Sequence, residues 1–157
     1  MLKRFTGDNR GYTLVEILIT LIIASFVVVA LGSFLVRNIR YNVMANDQVF
    51  IQDQVRKTLK GIGQLILDKK TVAISTVGDI TTATFNAGGA DELVLEYDES
   101  TKELTYNNGG SEIILGRYIA EFNVSQDAGN SRLVIVEIKG VKDKAEFYAL
   151  EKYFLRN

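Results

Sequence analysis

Gly11-Tyr12-Thr13-Leu14-Val15-Glu16 closes a short charged leader and opens a long apolar run in which Glu16 is the only charge. The leader, residues 1–11, carries Lys3, Arg4 and Arg10 against Asp8. Beyond Glu16 the residues from Ile17 to Val36 are uncharged, and Arg37 and Arg40 follow. Twenty residues in a helix rise about 30 Å, the hydrocarbon thickness of a bilayer. The leader's cations favour a cytoplasmic N-terminus, with a bias reduced by the two arginines on the far side. The expectation is a single span, N-terminus in and C-terminus out.

An acid near the start of such a run is costly; deep in a span a carboxylate costs about 2.5–3.5 kcal/mol on insertion scales. Three readings of the segment compete. One is a secretory signal peptide cut near Ala30-Leu31-Gly32; its apolar run is longer than the usual core of such a signal and continues through Phe34-Leu35-Val36. A second is a plain signal anchor whose Glu16 reaches back to the interface. The third is a cleavage site between Gly11 and Tyr12, on the cytoplasmic side of the span.

The third reading carries a specific resemblance. The motif Gly-Tyr-Thr-Leu-Val-Glu after a short basic leader resembles the prepilin peptidase site of type IV pilins and of the pseudopilins of type II secretion and DNA-uptake machines. Tyr12 stands where Phe is more common in that family. The resemblance implies that Gly11 is the last leader residue and that Tyr12 becomes an N-methylated N-terminus. It further implies that Glu16 meets the N-terminal amine of a neighbouring subunit, since a nearby cation offsets the cost of a carboxylate in oil. The implied partners are prepilin peptidase, other major and minor pilin or pseudopilin subunits, the inner-membrane assembly platform and membrane lipid.

From Arg37 to Asp68 the pattern reads as a continuation of the helix. Met44, Ile51, Val55, Leu59, Ile62 and Ile66 fall on one stripe at helical spacing, with Asp53, Lys57, Lys60, Gln64 and Asp68 opposite. The stripe is expected to dock on a sheet. Ile39, Val43 and Phe50 form a second apolar line, read either as a helix end dipping into the interface or as a possible contact with neighbouring subunits. Gly61 and Gly63 each cost about 1 kcal/mol inside a helix, so fraying is expected there. Gly32-Ser33 is a second weak point. Many pilins carry a proline at this depth; this chain has no proline.

Beyond Thr71 the period changes to two. Leu93, Leu95 and Tyr97 alternate with Glu96 and Asp98; Tyr118, Ala120, Phe122 and Val124 alternate with Glu121, Asn123 and Ser125. Asp98–Thr101, Asn107–Gly110, Asp127–Asn130 and Lys142–Lys144 carry turn residues. Leu133 to Ile138 reads as a central strand covered on both faces, and Ala145 to Leu155 as the last strand. The stretch from Thr71 to Ala90 reads as short strands or loop. Strands without intervening helices point to an antiparallel sheet. The expected fold is α+β: a long N-terminal helix, half transmembrane and half amphipathic, packed on an antiparallel β-sheet. The expected segments are a leader at 1–11, an assembly helix at 12–36, an amphipathic half at 37–68 and a β domain at 69–157. A strand-rich domain ending in Tyr153-Phe154-Leu155-Arg156-Asn157 is also similar to the J-type minor pseudopilins and related minor pilins.

Composition narrows the function classes. The 157 residues hold 18 Lys+Arg and 19 Asp+Glu, a net charge of −1, which gives no electrostatic case for a nucleic-acid partner. The chain has no His and no Cys. Zinc sites of the usual kind and Ser-His or Cys-His nucleophiles are therefore excluded, and no catalytic residue, metal or cofactor is expected. The acids from Asp91-Glu92 to Asp98-Glu99 lack the spacing of a calcium loop and read as a solvated face. Tyr97, Tyr106, Tyr118, Tyr148 and Tyr153 read mainly as sheet packing. The expected function is a minor pilin or pseudopilin that acts by polymerising. The alternative is a membrane-anchored extracellular binding module that never assembles.

Overall fold

The computed structural model describes residues 13–107 and 111–156. They form one helix, α1 (Leu14–Ile66), followed by β1 (Val72–Val77), β2 (Ile80–Phe85), β3 (Leu93–Asp98), β4 (Glu103–Asn107), β5 (Glu112–Arg117), β6 (Ile119–Asp127), β7 (Asn130–Lys142) and β8 (Ala145–Phe154). The chain divides into two units, Met1–Asn42 and Val43–Asn157. The described part of the first unit is helix whose side chains are all exposed.

In the second unit the amphipathic stripe is the core face of the helix. Ile51, Val55, Leu59, Ile62 and Ile66 are buried, each contributing about 1.5–3 kcal/mol over leaving it in water. Met44, expected on this stripe, is instead exposed, because burial along the helix begins only at Ile51. Asp53 and Lys57 pair at 2.7 Å on the solvent side.

All strand pairings are antiparallel, but they make two sheets where one was expected: β1-β2-β3-β4-β5 and β6-β7-β8. The break falls at Tyr118. Its φ of 62° lies in the left-handed region and turns the chain out of one sheet into the other. That conformation also corrects the expected register. Tyr118 is exposed, Ile119 takes the core position, and the ladder shifts between Ile119 and Glu121 before Phe122 and Val124 point inward. β7 is the central strand of its sheet, with Val134, Val136 and Ile138 buried. Its opposite face, Leu133 and Ile135, is only half-buried, so the strand is covered on one face and not on both.

Close approach of helix to sheet explains the glycines. A Cβ at Gly140 of β7 would stand 2.6 Å from Val55 Cγ2 and 2.9 Å from Ile51 Cγ1. Gly116 of β5 lies against Thr58, a buried hydroxyl that donates to Gln54 O at 2.8 Å and reaches Leu115 O at 3.3 Å. The expected fraying at Gly61 and Gly63 does not occur. A Cβ at Gly63 would meet the Tyr153 ring at 2.6 Å, and Tyr153 O–H donates to Leu59 O at 2.7 Å. Packing against β8 outweighs the helix penalty of glycine.

Tyr97 and Tyr153 pack into the core as expected, whereas Tyr118 and Tyr148 are exposed. The Tyr97 hydroxyl donates to the carbonyls of Ile119 (3.0 Å) and Ala120 (2.9 Å), tying β3 to β6. Burial, with Glu99, Glu121 and Asp98 adding to it, pushes its pKa up to about 12. An unfolded tyrosine titrates near 10. Between those values the unfolded chain releases this proton and the folded chain keeps it, so stability falls as pH rises from about 10 to about 12 and is unaffected below. Comparing wild type with Tyr97→Phe, the wild type is expected to lose about 2–3 kcal/mol more across that window. Parallel pH profiles in denaturant titrations would contradict this assignment.

Candidate functional site

Helix α1 begins at a cap. Thr13 Oγ1 accepts the Glu16 N–H at 3.3 Å, while Thr13 O accepts the N–H groups of Glu16 (3.0 Å) and Ile17 (3.2 Å). This is the hydroxyl half of a Thr-x-x-Glu capping box. It places Glu16 in the first turn, where the exposed amide dipoles favour an acid by about 0.3–1 kcal/mol. That gain is smaller than the roughly 2.5–3.5 kcal/mol that an ionised acid costs at the centre of a span. The cap therefore offsets only part of that cost when Glu16 lies in the hydrocarbon.

Polar side chains further along the run look after themselves. Thr20 Oγ1 donates to Glu16 O at 2.7 Å, Ser25 Oγ to Ile22 O at 2.6 Å, and Ser33 Oγ to Ala30 O at 2.9 Å. Such back-bonding hides hydroxyls from an apolar surround. Ser33 does this across the Gly32-Ser33 step, where the helix continues without interruption. Among the described residues, no donor or cation reaches the Glu16 carboxylate. It is the one polar side chain within 14–36 that has no partner among the described residues.

Around it the surface is apolar throughout. Leu14, Val15, Ile17, Leu18 and Ile19 are each more than half exposed, and so are most residues through Val36. α1 is long and apolar enough near the N-terminus to cross a membrane. Gly11 and Tyr12, the expected cleavage and methylation positions, lie outside the described residues.

The second apolar line separates into two kinds of residue. Ile39 and Val43 are exposed. Phe50 is only 36 % exposed. Its ring meets the Tyr118 ring edge-on at 5.7 Å between centroids, and Lys142 Nζ sits 4.5 Å from its centre. Lys142 Nζ also donates to Asp47 Oδ1 at 2.7 Å, and that bond raises the ammonium's pKa. Gln48 Nε2 donates to Glu146 O at 3.0 Å. Sequence reading missed this cluster, because Asp47 and Lys142 are far apart in the chain and no local pattern joins them. It also passed over the Thr13 cap, although Thr-x-x-Glu is a local signal that could have found it.

Residues 7–32 match the family described as the prokaryotic N-terminal methylation motif, the signature of type IV pilins and pseudopilins. No curated protein and no solved structure matches the chain. The chain thus carries the N-terminal signature of a pilin-like substrate of prepilin peptidase. The motif implies processing by that peptidase and assembly with other pilin subunits. Together with the apolar helix it fits a single-pass membrane anchor with the remaining domain outside.

Proposed function

We propose that the chain is a minor pilin or pseudopilin, a structural subunit rather than an enzyme. In this reading prepilin peptidase cuts between Gly11 and Tyr12 and the new Tyr12 amine is methylated. The subunit then joins a filament at the inner-membrane assembly platform, in a type IV pilus, a type II secretion pseudopilus or a competence pseudopilus, at the cell surface or in the periplasm. The observation that carries the reading is the Glu16 carboxylate: it has no partner among the described residues and stands in an apolar helix face, within the segment that matches the methylation motif.

The mechanism is electrostatic selection of register. A lone subunit keeps an acid in or near the hydrocarbon at a cost. A neighbour whose cationic N-terminus lies opposite removes that cost, so docking is favoured at the one axial offset where the charges meet. Apolar helix faces then pack over the rest of the run, with Ile39 and Val43 as further contacts beyond the span. Phe50 joins them only when its cover of Tyr118 and Lys142 is displaced.

The test is recovery of the chain in filaments sheared from cells that assemble pili. The account expects recovery that depends on an active prepilin peptidase. A chain that stays in the membrane fraction with the peptidase present belongs to the alternative, an anchored binding module.

A further inference from the structure

The docked part of α1 is held in two chemically different ways. From Ile51 to Ile66 the contacts are apolar: Ile51, Val55, Leu59, Ile62 and Ile66 are fully buried. One turn earlier, residues 47–50 are held by charge, a single amide hydrogen bond and aromatic edges. Asp47 and Lys142 pair at 2.7 Å with their side chains 15 % and 30 % exposed. Lys142 covers one side of the Phe50 ring and Tyr118 meets it edge-on. Gln48 bonds the Glu146 carbonyl at the start of β8. Tyr118 holds its place in a left-handed conformation that is uncommon for a bulky residue. Such strain persists where surrounding contacts fix it; Val141 N–H, one residue before Lys142, donates to Tyr118 O at 2.8 Å.

We propose that Asp47, Phe50, Tyr118 and Lys142 form a salt-sensitive latch that closes the 47–50 turn of α1 onto the β7–β8 turn and opens independently of the apolar contacts from Ile51 onward. The physics separates the two segments. Added salt screens a partly exposed ion pair and weakens the attraction of a cation to a ring. It leaves apolar burial intact or strengthens it. Opening the latch frees one turn, about 6 Å of helix. It also uncovers Phe50, which is an autoinhibited contact as long as Lys142 and Tyr118 cover it. This last consequence rests on the proposed assembly role; the latch itself does not.

Hydrogen exchange on the whole chain in detergent micelles tests it. Lys142→Met keeps the length of the stem while removing the charge. It is expected to speed exchange of the amides at 47–54 about tenfold and to leave those at 62–66 unchanged. Wild type in 1 M salt should move toward the variant, and the swap Asp47→Lys with Lys142→Asp should restore slow exchange. Unchanged exchange at 47–54 would overturn the latch. A uniform increase over 47–66 would overturn it too, because the helix would then be releasing as one unit. The assembly consequence has its own readout: Lys142→Met should raise recovery of the chain in sheared filaments about twofold or more. Faster exchange with unchanged or reduced recovery would overturn the autoinhibition while the latch stands.

Discussion

Gly140→Val is expected to destabilise the β domain by about 3 kcal/mol, near the upper end of what overpacking a core costs. In a domain of this size that lowers the melting temperature by about 10 °C. Valine suits a strand, so the backbone at this position is not the obstacle. The obstacle is the helix. The new Cβ would sit 2.6 Å from Val55 Cγ2 and within 3.0 Å of both Ile51 Cγ1 and Ile51 Cδ1, and all three atoms belong to the buried stripe. Relief requires α1 to lift from β7, which would uncover Ile51 and Val55 together. Adding Val55→Ala to Gly140→Val should recover part of the loss, since neighbours that share one cavity do not add. Thermal melts followed by tyrosine near-ultraviolet circular dichroism would read both variants. A fully additive loss in the double variant would show that helix contact is not what the glycine serves.

Glu16→Ala is expected to leave membrane insertion unchanged and to cut recovery in sheared filaments at least tenfold. Removing the acid eliminates the cost of holding a carboxylate in or near the hydrocarbon, so the lone subunit becomes more comfortable in the bilayer. It also removes the attraction that selects one offset between neighbours. A change of 1.4 kcal/mol is a factor of ten in docking. Glu16→Gln keeps the shape but not the charge and should behave like the alanine form. If both variants assemble like wild type, the carboxylate is serving only as the acidic residue of the helix's first turn.

Local pattern and burial agree most closely along the helix. The period from Ile51 to Ile66 put the right side chains in the core because a helix face is set by spacing alone. Leu93, Leu95 and Tyr97 came out buried for the same reason in a strand. What the sequence hid depends on contacts between distant segments. Tyr118 looked like a strand residue by alternation; only the crossover between two sheets makes it left-handed and exposed. Gly61 and Gly63 looked like weak points because their value lies in Leu115 and Tyr153, dozens of residues away. The candidate site divides the same way. Glu16 is local and was readable as chain chemistry; its cap at Thr13 is equally local but was not read. The cover over Phe50 unites positions 47, 50, 118 and 142, which no spacing rule connects.

The central claim is that a charged amine newly made at Tyr12 answers the carboxylate at Glu16. Intact-mass and N-terminal peptide spectrometry of the chain, purified from membranes of cells with an active prepilin peptidase, measures this most directly. The account predicts a polypeptide that starts at N-methylated Tyr12. A chain that still starts at Met1 in those membranes, or one that starts at Ser33, would contradict it.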